Sequence, residues 1–213
     1  MTTESAEPRP ANGEKNGPSH RWEILIATLL GLAAVATAFA AYQAELNDGD
    51  SIKNFNEGIR SVSDANQAYL EGNQQFVQDQ ALFLEYAKAA NNDDPGLAEY
   101  MKTLMSEELR KGIDWWQNTK NDADTPFVDE NPEYSIPAYA TGEQLTKKTD
   151  AQFKAARDFD EDGDRYTLIT VILAAALFLY GIAAVSKNHT VRYATAAIGG
   201  SIFLLSLVLL ATA

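Results

Sequence analysis

The sequence predicts an all-α membrane protein with three transmembrane helices and a long helical hairpin, or a small helical bundle, between the first and the second. Three observations predict it: long uncharged apolar runs, apolar side chains with a seven-residue period between them, and charge concentrated in that intervening segment. The chain has 213 residues, a formal net charge of −13 and no cysteine. The lack of cysteine excludes disulfides, thiol catalysis and Cys-ligated zinc in this chain.

The N-terminal tail, residues 1–20, is rich in Pro, Gly, Glu and Asn and has almost no apolar side chains. Such a segment buries too little apolar surface to offset the entropy lost on ordering. We therefore predict that 1–20 is disordered.

Three uncharged runs reach the roughly 20 residues that a helix needs to cross a bilayer. They are ILIATLLGLAAVATAFAAYQA at 24–44, YTLITVILAAALFLYGIAAV at 166–185 and YATAAIGGSIFLLSLVLLATA at 193–213. Trp22 suits the headgroup level just before the first run, so the first span is assigned to 22–44. An alternative is that this span is a signal peptide, because Ala38-Phe39-Ala40 resembles a cleavage site. Either outcome exports the segment that follows.

Charge is divided unequally between the two sides of the predicted membrane. Residues 45–165 hold 26 acidic and 12 basic side chains, a net charge of −14, whereas the short link 186–192 carries Lys187 and Arg192 and no acid. Short loops rich in Lys and Arg stay in the cytoplasm. We therefore place the N-terminus and 186–192 in the cytoplasm and 45–165 on the outer side of the membrane.

The segment 51–90 reads as one long helix, because its apolar residues recur every seven positions. The two predicted core positions hold Ile52 and Ile59, and Phe55, Val62, Tyr69, Phe76 and Phe83. The first position turns polar further along, at Asn66, Asn73 and Gln80, while the stripe is joined by Leu70, Val77 and Leu84. We predict that this row packs in the core.

Two further helices are predicted before the second span. The first covers 95–119, with Asp94 as its N-cap and inward Leu97, Met101, Leu104, Met105, Leu109, Ile113 and Trp116. A proline-rich stretch follows, and Thr141 opens the next helix, which has Leu145, Phe153 and Ala156 inward. By length, these two helices can stack end to end beside 51–90 as one long hairpin. A compact three-helix bundle, with 51–90 broken near Gly58 or Gly72, is the alternative.

Burying apolar stripes of this length requires more helices packed against them than one partner helix supplies, which favours a homo-oligomer. The first and third spans contain pairs of small residues four positions apart, a spacing that lets membrane helices approach each other closely. The pairs are Ala34 and Ala38, Ala36 and Ala40, Ala196 and Gly200, and Ala197 and Ser201. Contacts within one chain explain the same residues. An unidentified membrane protein is a further candidate partner, besides the lipid bilayer.

The segment from Asp158 resembles the first half of a calcium-binding loop, with Asp158, Asp160, Asp162 and a glycine in the expected places. The position of the closing glutamate is Ile169, inside the predicted span. We therefore predict no calcium site, and interpret the acids as a charged collar at the membrane surface. No cofactor is predicted.

Residues 45–165 contain no motif typical of an enzyme, because they have no His, no Cys and no phosphate-binding loop. The acidic charge disfavours nucleic acid as a partner. Adjacent rings at Trp115 and Trp116 are candidates for an interaction surface, in which one ring packs and its neighbour meets a partner. The chain is therefore predicted not to be an enzyme.

Two motifs resemble a group of uncharacterised bacterial three-span inner-membrane proteins. The first is TPFxxxxPEY, formed by Thr125, Pro126, Phe127, Pro132, Glu133 and Tyr134, and the second is GDRYTLITVILAAALFLYGIA at 163–183. The resemblance implies a bacterial source and three spans, but no activity. It marks Phe127 and Tyr134 as further candidates for interaction.

Three functions are compatible with these features. The first is a non-enzymatic scaffold or sensor with a helical arm outside the membrane. The second is a homo-oligomeric pore subunit, whose acidic collar would concentrate cations. The third is an extracytoplasmic ligand-binding receptor.

The predicted topology is testable with a single cysteine introduced at Asn121, because the chain has no cysteine of its own. A membrane-impermeant maleimide should label this position on intact cells. A cysteine introduced at Lys187 should be labelled only after lysis. The opposite pattern would show that the orientation is inverted.

Overall fold

The computed structural model describes residues 18–119 and 123–213, and the regular elements in these ranges are all helices. They are α1 (Pro18–Asn91), α2 (Pro95–Leu104), α3 (Glu107–Asn118), α4 (Pro137–Val185) and α5 (His189–Thr212). Three of them, α1, α4 and α5, are long and apolar enough to cross a membrane. The predicted fold class, all-α with three transmembrane helices, is therefore confirmed.

The predicted disordered tail differs from the structure at its end. Residues 1–17 lie outside the described part of the chain, whereas 18–20 already belong to α1. Helix α1 therefore begins before the predicted span 22–44 and contains it.

The chain divides into two compact units, one built from two segments of the sequence and the other from a single segment. The membrane unit comprises residues up to Asp50 together with Asp158–Ala213, and the helical unit comprises Ser51–Arg157. Helices α1 and α4 contribute residues to both. The predicted boundaries of the extracytoplasmic segment, at 45 and 165, lie within eight residues of these divisions.

In the membrane unit, α1, α4 and α5 pack around an apolar cluster of Ala33, Ala40, Ile169, Leu173, Ala176, Tyr180 and Phe203. The rings of Tyr180 and Phe203 meet edge to face, with centroids 6.4 Å apart. Small side chains at Ala33 and Ala40 let α4 approach α1 closely. The predicted small-residue pairs contribute only in part, because Ala40 is buried while Ala38 is exposed.

One end of the membrane unit joins α1 to α5 through polar and aromatic contacts. The buried Arg192 places its Nη1 atom 3.9 Å from a carboxylate oxygen of Glu23. Beside this ion pair, the rings of Trp22 and Tyr193 meet edge to face at 5.0 Å. The predicted aromatic anchor Trp22 therefore packs within the protein as well as suiting the headgroup level.

In the helical unit, α1 and α4 run antiparallel and meet along a seam of small residues. The buried positions of α1 include a seven-residue series, Gly58, Ala65, Gly72, Asp79 and Tyr86, of which the first three are small. A seven-residue period keeps one face of a helix against its partner. Because the seam of α1 is mostly Gly and Ala, the rings that fill it come from the other side.

Two of these rings belong to α4 and lie directly over glycines of α1. Phe153 covers Gly58, and Tyr139 covers Gly72. The second contact is reciprocal, since Tyr69 of α1 covers Gly142 of α4. Both helices thus use the same Tyr-x-x-Gly spacing, and the two tyrosine rings lie 6.4 Å apart.

The predicted core stripe of 51–90 is wrong for most of its members. Phe83 is buried, and Tyr69 and Phe76 are partly buried, but the other seven are exposed: Ile52, Phe55, Ile59, Val62, Leu70, Val77 and Leu84. The physical reason is the space that the large rings of α4 require. They fit only against glycine and alanine, so α1 turns its smaller residues inward and its larger aliphatic ones outward.

The long hairpin is correct, whereas its predicted helix boundaries need correction. Helix α1 passes Gly58 and Gly72 without a break, and the rings of Phe55 and Phe153 lie 5.4 Å apart, as a hairpin requires. The predicted helix 95–119 is two helices, interrupted at Met105 and Ser106. Helix α4 begins four residues before Thr141, at Pro137, because proline suits the first position of a helix.

Substituting the seam glycines should destabilise the helical unit. A Cβ atom at Gly72 would lie 2.7 Å from Cε1 of Tyr139, whose hydroxyl is held by Asn73 at 2.8 Å. We expect Gly72→Ala to lose up to about 2 kcal/mol of stability, because overpacking exceeds the gain of about 1 kcal/mol in helix propensity.

The matched control is Gly96→Ala in α2, where the nearest atom to a new Cβ is an Asp94 oxygen at 3.6 Å. This variant should keep or raise the thermal midpoint measured by far-UV circular dichroism. If Gly72→Ala were as stable as Gly96→Ala, close packing of α4 on this glycine would not be limiting.

Candidate functional site

A buried carboxylate lies on the seam of α1 in the helical unit. Asp79 is 2% exposed and occupies the position that Gly58, Ala65 and Gly72 hold in preceding heptads. Its side chain accepts hydrogen bonds from the hydroxyl groups of Ser106 and Tyr134, both at 3.1 Å. Three separate segments of the chain therefore meet at one acid.

Ser106 explains why the predicted helix 95–119 is interrupted. As the N-cap of α3, its Oγ atom accepts a hydrogen bond from the backbone N–H of Leu109 at 3.0 Å. The same hydroxyl donates to Asp79. A serine inside a continuous helix could not offer its oxygen to the start of a new helix, so the break lets one hydroxyl serve both partners.

The segment between α3 and α4 is held by a buried asparagine. The Nδ2 atom of Asn131 donates to the carbonyl oxygens of Gly112 at 3.1 Å and Pro126 at 2.7 Å. Its Oδ1 atom accepts from the N–H of Glu133 at 3.1 Å. Because its donors and acceptor are used, this side chain fixes the backbone that carries Tyr134 to Asp79.

Aromatic rings surround the same end of the helical unit. Phe127 makes edge contacts with Phe76, Phe83 and Tyr134, with ring centroids 5.0–5.6 Å apart. Trp116 packs edge to face on Phe83 at 5.5 Å, and its Nε1 atom donates to the carbonyl of Ala123. Edge-to-face pairs of this kind add to the stability gained from burial.

Burial raises the pKa of the Asp79 carboxyl above its ordinary value, since desolvation disfavours the charged form. The hydrogen bonds from Ser106 and Tyr134 oppose this effect, and the negative charge of Glu108 adds to it. The pKa of Tyr134 is also raised, first by burial and then by the neighbouring Asp79. The tyrosine therefore stays a hydrogen-bond donor.

An aromatic groove of about 660 Å³ lies between α1 and α4 next to this cluster. It is lined by Tyr69, Phe76, Tyr134, Ser135, Ile136, Tyr139, Ala140 and Glu143. The carboxylate of Glu143 pairs with Lys147 at 3.0 Å. The groove thus presents mainly ring surfaces, with one paired acid at its edge.

An exposed apolar row of the helical unit lies on the outer side of α1. We name it the α1 stripe, formed by Ile52, Phe55, Ile59, Val62, Leu70, Val77 and Leu84. These residues are between 37% and 63% exposed. Isolated exposed apolar residues are common, but a continuous row marks a surface that meets another molecule.

The predicted interaction residues divide between packing and surface. Trp116, Phe127 and Tyr134 belong to the aromatic cluster, whereas Trp115 is half-buried outside it. The expectation that one of the two adjacent tryptophans packs is met by Trp116. Whether Trp115 contacts a partner stays a prediction.

The sequence patterns did not single out Asp79, Ser106 or Asn131. One signal was available for the first, since Asp79 continues the seven-residue series of Gly58, Ala65 and Gly72. A helix that buries these glycines also buries the acid. No comparable periodicity points to Asn131, which lies in the irregular segment before α4.

The acidic segment before the second span is helical. Asp158, Asp160 and Asp162 all lie within α4, so they do not form the loop that a calcium site of this type requires. Asp162 instead lies 3.7 Å from the guanidinium of Arg165. The absence of calcium binding stays a prediction.

Comparisons of this chain with family models, curated proteins and solved structures found no match. The resemblance to a three-span bacterial family therefore stays a prediction.

Replacing Asp79 should reveal how its charge affects stability. The folded protein binds the Asp79 proton more tightly than the unfolded chain, so this acid contributes less stability as pH rises through its raised pKa. We expect Asp79→Asn to be as stable as wild type or more stable near neutral pH, and to lose this advantage towards about pH 4. Asp79→Ala, which leaves two partly buried hydroxyls without this acceptor, should cost about 1–3 kcal/mol.

Thermal unfolding followed by tryptophan fluorescence in a Trp22→Phe background measures this, because Trp115 and Trp116 then report on the helical unit. The exposed Asp64 on the same helix provides the control, as Asp64→Asn. If wild type and Asp79→Asn kept a constant difference across this pH range, the carboxyl would not titrate as argued.

Proposed function

We propose that this chain is a non-enzymatic scaffold of a bacterial plasma membrane. Its three spans hold it in the bilayer, and the α1 stripe is the surface through which it binds protein. The N-terminus and 186–192 face the cytoplasm, and the helical unit lies on the outer side. The observation that carries the proposal is the α1 stripe, an exposed apolar row in a segment of strongly acidic composition.

Two features of the helical unit support a binding role. The aromatic groove lies along the same helix as the stripe, since Tyr69 and Phe76 of α1 line it. The scaffold beneath is also rigid, since the rings of α4 interlock with the glycines of α1. A surface on a preorganised helix loses little conformational entropy on binding.

Photocross-linking in intact membranes tests the proposal. A benzophenone side chain at Val77, in the stripe, should form protein adducts of defined mass. The same group at the neighbouring exposed Gln78, which points away from the stripe, should give several-fold less product. Equal yields at the two positions, or no adduct at either, would contradict a binding function for this surface.

A further inference from the structure

The two apolar faces of α1 differ in what covers them. The seam through Gly58, Gly72 and Asp79 is covered by α3, α4 and the segment that joins them. At 3.6 residues per turn, most of the α1 stripe lies between about a quarter and a half of a turn from the seam, whereas Phe55 and Val62 lie about a sixth of a turn from it. The residues of the stripe are 37–63% exposed, and Phe55 at its seam edge contacts Phe153 of α4.

The stripe has the spacing of a coiled-coil contact. Its members follow steps of three and four residues from Ile52 to Val62 and resume with a seven-residue period at Leu70, Val77 and Leu84. The intervening positions on the same face hold Asn66, Asn73 and Gln80. Over 52–84 this face is about 48 Å long, given a rise of 1.5 Å per residue.

Charge is excluded from this face, although the helical unit is strongly acidic. The residues beside the stripe are uncharged: Asn56, Ser63, Gln74 and Ala81. The exposed charged residues of 52–84 lie on the opposite side of α1: Lys53, Glu57, Arg60, Asp64 and Glu71. Two copies of so acidic a segment repel each other, so a face without carboxylates is where they approach at least cost.

The exposed area is sufficient for a stable pair. Seven apolar side chains, each about half exposed, offer on the order of 700 Å², close to the ~800 Å² that each partner buries in a standard interface. A second copy of this chain in the same bilayer presents the same stripe in the same direction, because both are anchored with one orientation. Parallel α1 helices would then meet in register.

We infer that two copies of this chain associate through a parallel, in-register contact between their α1 stripes. This inference rests on the proposed function and names its partner. In such a dimer Asn66 faces Asn66, and Gln80 faces Gln80. Each amide both donates and accepts, so these pairs satisfy each other, whereas a shifted register places them against aliphatic side chains.

Cysteine cross-linking of the full-length protein in membranes tests the inference, since no native cysteine interferes. Single variants Leu70→Cys and Val77→Cys should form disulfide-linked dimers on mild oxidation. The adjacent exposed controls, Glu71→Cys and Gln78→Cys, should give at least about fivefold less, because their Cα atoms lie beyond the distance a disulfide spans. Equal dimer yields at stripe and control positions would indicate random collision and overturn the inference.

Sedimentation of the detergent-solubilised protein provides the second measurement. Val77→Asp should weaken self-association at least about tenfold. Because Val77 is exposed within one copy, the far-UV circular dichroism of this variant should match that of wild type. A monomeric wild type would overturn the inference.

The photocross-linking result then separates the two proposals. If a benzophenone at Val77 captured only a different protein and no disulfide dimer formed, the scaffold function would stand and self-association would fail. If neither the benzophenone nor the stripe cysteines formed an adduct, both would fail.

Discussion

Close approach of α1 and α4 is the constraint on which the helical unit depends. Two helices whose facing residues are glycine and alanine leave a shallow groove, and rings from the opposite helix fill it. Phe153 over Gly58 and the reciprocal pair of Tyr139 over Gly72 and Tyr69 over Gly142 show how each ring takes the space of an absent side chain. The exposed row of aliphatic residues follows from this arrangement, because a helix has only one face to give to its partner.

The polar cluster at Asp79 serves a different purpose from the ring contacts. Burying a carboxylate is costly, and two hydroxyl donors offset only part of the cost. What the cluster supplies is specificity, since Ser106 and Tyr134 can reach one acid only when α3 and the following segment are correctly placed. Asn131 adds to this specificity, because it hydrogen-bonds that segment to α3 and keeps Phe127 among the aromatic rings.

The helical class, the three spans and the hairpin were predictable because each depends on local composition or on length. The packed face of α1 was not, because hydrophobicity favours Ile59 and Leu70 over the adjacent small residues. Choosing between these faces requires knowing that α4 presents rings, which is information from residues about 70–90 positions away along the chain. The polar site was missed for the same reason, since a single aspartate gains meaning only when Ser106 and Tyr134 are brought to it.

Distance along the chain also orders the events by which the helical unit can form. The bonds at Asp79 join residues 27 and 55 positions apart, whereas the bond from Ser61 to Gln152, further along the seam, spans 91. Closing a longer loop costs more chain entropy, and contacts of low sequence separation form sooner. The polar cluster can therefore form first and bring the start of α4 beside Tyr69. The rings of α4 then pack on successive glycines of α1. On this account, the buried Asp79 is the point from which α1 and α4 align.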